Sequence, residues 1–237
     1  MTSIVTVSSK RNIFEQVKWK CQVYVSLFTT IIIVQGLFGF LSMNGTSGLG
    51  MHRGFIEYRE SYFSLDATFM ISIFVLFILG WMLANSKMTH QNYSVVNNAT
   101  TDTISNFIML ILLSAFTLFA SLSVVYIIML LQTMTESFSQ FYLDRTADIG
   151  MLVVFTLFLL MASSIGYLLK TMFDYSKVVF IAVLVLAIVV INILSETFLP
   201  LIFGASMFSI SVRSIFYVLI IWGITLFIRR HSEVKRS

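Results

Sequence analysis

Charge is scarce in this sequence. Asp, Glu, Lys and Arg make up 11% of its 237 residues, where a soluble domain carries about 25%. A chain so poor in charge could not cover a water-exposed surface of its own size. Cysteine is scarcer still. Cys21 stands alone, which excludes an intrachain disulfide and a multi-cysteine metal site. His52, His90 and His231 are scattered over predicted loops and the tail, so a buried metal or haem site is not expected. Pro200 is the only proline, which lets the helices run largely unkinked. No Walker phosphate loop occurs, and the polar segments are too small for an ATPase domain. No ordinary cleavable signal peptide is read either. The first apolar run begins near Cys21, is too long for a signal core and is followed by no clear cleavage pattern. It is expected to be a retained first helix.

Apolar residues dominate instead, at 58%, with 23 Phe and 13 Met; the mean hydropathy is +0.92. A helix needs roughly 20 apolar residues to cross the hydrocarbon layer. Six runs are candidates: Cys21–Met43, Ala67–Ser86, Phe107–Leu131, Ile149–Leu169, Val178–Ser195 and Ser209–Ile228. The last requires Arg213 to sit near the interface and snorkel. A β-barrel is disfavoured because its strands would be about ten residues each. Lipid offers no hydrogen-bond partner to an open backbone, so these runs should be helical, even the Val- and Ile-rich 178–193. The predicted fold class is all-α. It is a polytopic membrane bundle of six transmembrane helices over 21–228, with an N-terminal interfacial helix and a re-entrant segment before the last span.

Lys and Arg set the orientation. With the N-terminus inside, 11 of the 15 basic residues are cytoplasmic, including Lys10, Arg11, Lys18, Lys20, Lys87, Lys170, Lys177 and the tail at 229–237. Arg53, Arg59, Arg145 and Arg213 fall outside. Acidic residues lean the other way, among them Glu57, Glu60, Asp66, Asp148 and Glu196. Both termini are therefore expected in the cytoplasm.

Three segments stand out between the spans. Arg11–Lys20 follows a cytoplasmic tail; it sets Ile13 and Val17 four apart beside Phe14, with Arg11 and Lys18 free to face headgroups and Trp19 as an interface marker. It reads as a short helix along the inner leaflet, or simply as a basic flank. The polar loop 87–106 contains Asn97, Asn98, Thr100, Thr101 and Asp102. Asp102 or Thr101 is expected to cap the third span, and a short helix within 90–98 would suit a cytoplasmic partner, with a flexible connector as the alternative. Residues 197–212 are apolar but interrupted by Pro200 and Gly204. They read as a re-entrant element in the outer leaflet or as an interfacial loop. Of three Asn-X-Ser/Thr triplets, only Asn44 would face outside. In the outer loop after it, Arg53 and Glu57 are spaced to pair on a short helix.

The first five spans hold no Asp, Glu, Lys or Arg between their ends. Intramembrane charges mark ion-driven carriers, so a proton-coupled carrier and an intramembrane hydrolase both lose support. Gln35 and Asn192 are the notable polar interior groups. Each reads as a packing hydrogen bond or as a substrate contact.

This layout resembles, over essentially the whole chain, the small permease subunits of ABC-2-type ATP-binding-cassette exporters. Arg11–Lys20 matches the family's elbow helix, the segment around His90–Asn98 its coupling helix, and Thr197–Val212 its re-entrant helices. The likeness is architectural, because the family has no compact signature. It implies a chain that is not itself catalytic. It also implies two cytoplasmic ATPase subunits holding ATP and Mg, and a second permease subunit, identical or homologous. Membrane lipid would be a further partner, with no nucleic acid. The cargo would be an amphiphilic, lipid-like or antimicrobial peptide substrate, and the site a bacterial plasma membrane. Tyr93, Val95 and Val96 would couple to the ATPase, and Gln35, Thr117, Ser121 and Asn192 would line the path. The alternatives are a membrane assembly or sensor subunit and, further off, a small lipid-modifying enzyme.

Overall fold

The computed structural model describes residues 9–41, 47–53, 56–63, 66–85, 98–135, 140–143, 149–186, 189 and 206–234. Two helices open the chain, α1 (Ser9–Val23) and α2 (Val25–Leu41). They meet at a bend of 51°. No proline causes it. The Tyr24 amide bonds back to the Lys20 carbonyl at 2.8 Å, and the Leu27 amide to the Tyr24 carbonyl at 2.9 Å. The second bond tightens the turn to three residues. On α1, Gln16 and Lys20 point inward one turn apart, while Arg11, Phe14 and Lys18 are exposed. On α2, Leu27, Ile31, Gln35 and Gly39 repeat every fourth residue and form the buried stripe. Ile32, Ile33, Leu37 and Phe40 face outward.

Next come β1 (Ser47–Arg53) and β2 (Ile56–Phe63), paired antiparallel. Further along, β3 (Gln140–Leu143) joins β2 in parallel, giving the order β1-β2-β3. The helical bundle is thus accompanied by a small sheet that ties two connecting loops together. Arg53 and Glu57 do not share a helix. They lie on neighbouring strands, with Arg53 opposite Ile56 and His52 opposite Glu57. Gly48 and Gly50 weaken helix formation there, and Ile56, Tyr58, Tyr62 and Phe63 suit a pleated strand.

The remaining helices are α3 (Asp66–Leu83), α4 (Ala99–Thr135), α5 (Ile149–Tyr175), α6 (Lys177–Leu186) and α7 (Met207–Val234). α4 has 37 residues, about 55 Å at 1.5 Å per residue. It is the hub, touching α1, α2, α3, α5 and α7. Asn98 caps it, accepting the Thr100 amide on Oδ1 at 3.1 Å. The cap is therefore not Thr101 or Asp102. With Asn98 in that role, Asp102 falls one turn inside the helix and turns into the bundle.

Leu76, Leu79, Met109, Leu110, Leu113, Leu159 and Tyr167 form the main core, and Val125, Ile128 and Phe155 a second one. α3 and α5 approach most closely. A Cβ on Gly80 would collide with the Ser163 carbonyl, and one on Gly166 with the Phe77 carbonyl. Small residues at such crossings let helix backbones touch where lipid gives no hydrophobic drive between helices. On α7, Trp222 stacks on Phe107 at 4.3 Å and donates from Nε1 to Ser164 Oγ at 2.9 Å. Trp222→Phe keeps a stacking ring and loses the donor. Thermal unfolding in detergent should show a loss of about 1 kcal/mol, and an unchanged midpoint would mean the bond contributes nothing.

Among the described residues three helical stretches are long and apolar enough to cross a membrane: Thr100–Leu131, Ile149–Tyr175 and Met207–His231. The bent α1–α2 pair makes a fourth if counted as one span, and Thr68–Leu83 and Lys177–Leu186 are shorter apolar helices. Large apolar side chains such as Phe40, Phe74, Phe119, Phe216 and Phe227 stand on the outside. The chain is a multi-pass, membrane-embedded helical bundle. Of the expected re-entrant segment, 197–205 lies outside the described residues. Met207–Val212 is the first part of α7, continuous with the last span, because the breakers Pro200 and Gly204 both precede it. Arg213 falls in the second turn of that helix.

Candidate functional site

Among the described residues, two polar clusters interrupt the apolar interior. The first lies at one end of the bundle and is charged. α4 begins with Asp102, Ser105 and Asn106 on one face, spaced three and four apart. Lys20 reaches them from α1. Its Nζ donates to Asp102 Oδ1 at 2.7 Å, Ser105 Oγ at 2.6 Å and Asn106 Oδ1 at 2.5 Å. Arg229 comes from the far end of α7, giving one nitrogen to Asp102 Oδ2 at 3.1 Å and another to the Ala84 carbonyl at 3.0 Å. Asn106 Nδ2 donates to the Tyr167 hydroxyl at 2.9 Å, and the Arg229 guanidinium lies 5.3 Å from the Tyr167 ring.

Asp102 and Lys20 are each 6% exposed in their side chains and Arg229 15%. Isolated charges at that burial would cost several kcal/mol each. Here one carboxylate takes a cation on each oxygen, and Lys20 finds neutral acceptors as well. The cluster joins α1, α4 and α7, the Ala84 carbonyl just past α3, and Tyr167 on α5. The end of α1, the start of α4 and the ends of α3, α5 and α7 therefore meet at one end. Arg230 adds a bond to Thr100 Oγ1 at 3.3 Å.

The second cluster sits deeper, where α2, α3 and α4 meet. Gln35 donates from Nε2 to Ser72 Oγ. Ser72 donates to the Thr68 carbonyl at 2.5 Å and lies 3.4 Å from Ser121 Oγ. Ser121 donates to the Thr117 carbonyl at 2.8 Å, and Thr117 to the Leu113 carbonyl at 2.7 Å. Gln35 is 1% exposed, and its Oε1 has no hydrogen-bond partner among the described residues.

Of the expected path residues, Gln35, Thr117 and Ser121 thus come together on two helices. Asn192 lies outside the described residues, as do Tyr93, Val95 and Val96; of the loop 87–106 only 98–106 is described. Ser72 was not singled out from the sequence, because a serine in an apolar helix ordinarily bonds its own preceding turn. Lys20, Asp102 and Arg229 were read as flanking charges and a cap. Their signal is the polar face 102, 105 and 106 at the mouth of an apolar helix. Among the described residues no three His, Cys, Asp or Glu side chains group as metal ligands. The two clusters offer hydrogen bonding and charge pairing.

Comparison with protein-family models, curated proteins and solved structures gives no match for this chain. Its class rests on the fold: a helical, multi-pass membrane protein whose helix ends are joined by a buried ion cluster.

Proposed function

We propose that this chain is the permease subunit of an ATP-driven ABC-2-type exporter. In this reading it has six spans with both termini in the cytoplasm. It pairs with a second permease subunit, identical or homologous, in a bacterial plasma membrane, and two soluble ATPase subunits, holding ATP and Mg, bind beneath. The cargo is an amphiphilic peptide or a lipid-like antimicrobial compound. The observation that carries the reading is the bent α1–α2 pair, with α1 docked on the start of α4. That contact lies at the same end of the bundle as Ala84 and Asn98, the residues flanking the polar loop that would meet the ATPase. Lys20 and Arg229 both reach Asp102, so a push on the loop would reach α1 and α7 through one carboxylate. Support for the orientation comes from the basic residues Lys20, Lys170, Arg229 and Arg230, all toward that end.

The test is gentle solubilisation of the tagged chain from its native host, followed by mass spectrometry of the intact assembly. The expected result is a stoichiometric pair of soluble ATPase subunits. Repeated recovery without an ATPase, under conditions that keep a known ATP-driven complex intact, would sink the reading.

A further inference from the structure

The deep cluster leaves one buried acceptor open, Gln35 Oε1. Each of its hydroxyl protons is already committed to a backbone carbonyl: Ser72 to Thr68, Ser121 to Thr117 and Thr117 to Leu113. The Ser72–Ser121 contact at 3.4 Å can be filled only by diverting one of these protons from its carbonyl. Besides the second Nε2 proton of Gln35, what remains open is acceptor capacity on Ser121 Oγ and, above all, on Gln35 Oε1, which is buried and unpartnered. Turning the Gln35 amide over does not cure this. Oε1 would then need the Ser72 proton, leaving the Thr68 carbonyl without it and placing Nε2 where Oε1 now stands. A buried acceptor left empty costs about 1–3 kcal/mol, so an occupant that donates is favoured.

The chemistry of the occupant follows from the surroundings. The groups converging there, Gln35, Ser72, Ser121 and Thr117, carry no charge. A cation would bring an uncompensated charge into the bundle interior, which is costly. A neutral donor would not. α2 lies between the cluster and an open apolar face: Ile32, Ile33 and Leu37, on either side of Gln35 in the sequence, are exposed, and a Cβ on Gly36 would meet nothing within 4 Å. A lipid-soluble molecule would reach Gln35 by displacing α2, whose buried stripe carries this residue.

We propose that Gln35 Oε1, backed by Ser72 and Ser121, is a binding site for a neutral hydrogen-bond donor, an amide N–H or a hydroxyl, arriving from the membrane interior. That this donor belongs to the transported cargo rests on the exporter reading. The binding itself does not, and it is tested without any ATPase. Water has the same donor chemistry, so the experiment separates the two sources.

The full chain is purified in lipid nanodiscs and its thermal midpoint followed with two probes. N-methyldecanamide carries one N–H. N,N-dimethyldecanamide keeps the chain and the carbonyl but has none. The wild-type protein should be stabilised by the N–H probe at about fivefold lower concentration, the factor that one hydrogen bond supplies. Gln35→Met should erase that preference and Ser121→Ala reduce it, while Ser123→Ala, on the exposed face of α4, should leave it intact. Equal response of the wild type to both probes overturns the proposal, and so does a preference that survives Gln35→Met. A Ser72→Ala background, in which the direct Gln35–Ser72 bond is already gone, identifies water. There, equal probe response means that no lipid-borne donor is selected and water alone remains as the occupant, which overturns the proposal. The wild-type comparison needs no variant, so a poorly folded mutant leaves the proposal exposed to refutation. Absence of donor selectivity in the wild type with an ATPase recovered refutes the site and spares the exporter reading; selectivity without an ATPase refutes only the exporter reading.

Discussion

Asp102→Asn should destabilise the folded protein by about 3–5 kcal/mol, the range for breaking a buried ion pair from one side. The charge count explains the size. Lys20, Asp102 and Arg229 together carry one net positive charge, with the carboxylate bonded to both cations. Removing either cation leaves a neutral pair. Removing the carboxylate leaves two positive groups facing each other with no acid between them. Lys20→Met and Arg229→Met should therefore each cost less than Asp102→Asn. Adding Lys20→Met to Asp102→Asn should recover part of the loss, because one of the two unpaired charges disappears. Thermal or denaturant unfolding of the four variants in the same detergent measures this. Equal losses for all three single variants would refute the shared-carboxylate account. If the exporter reading holds, Asp102→Asn should also uncouple ATP hydrolysis from transport more strongly than either cation variant.

The second large effect concerns glycine, and its sign depends on position. Gly166→Ala should destabilise by about 1–3 kcal/mol, as overpacking does, because the new methyl meets the Phe77 carbonyl on α3. A peptide carbonyl cannot move aside as a side-chain end can, so the two helices must separate. Gly80→Ala meets the Ser163 carbonyl from the other side and should behave alike. Gly36→Ala and Gly223→Ala add the same methyl where nothing lies within 4 Å. These two should be neutral or stabilise by about 0.4–1 kcal/mol, since alanine loses less backbone freedom in a helix. Midpoints of the four single variants decide it. Losses at Gly36 and Gly223 equal to those at Gly80 and Gly166 would show that the α3–α5 crossing is not the cause.

Legibility in the sequence followed the range of each property. Gln35, Thr117 and Ser121 were identifiable because a polar residue inside an apolar run is visible locally. Their meeting was not, since α2 and α4 are separated by the whole of α3 and two loops. Ser72 completes the cluster but looks, by itself, like any serine bonding its own helix. Asp102 was legible as a helix-start residue and misread as the cap, because Asn98 and Asp102 both precede the apolar run and only the backbone reveals which amide is capped. The strands at 47–53 and 56–63 were hidden among glycines and loop charges, and β3 contributes only four residues. Its partner strand lies some eighty residues earlier, across α3 and α4.

The sequence by itself determined that this is a helical membrane protein. Uninterrupted apolar length and the scarcity of charge are local quantities, and lipid forces such runs to satisfy their backbone internally. Only the tertiary structure decided which polar groups meet. Asp102 pairs with Lys20 across 82 residues and with Arg229 across 127, and Gln35 finds Ser72 across 37. Such pairings depend on the directions in which helices cross. Those directions are set by close approaches such as Gly80 to Ser163 and Gly166 to Phe77, where the absence of a side chain lets two backbones touch.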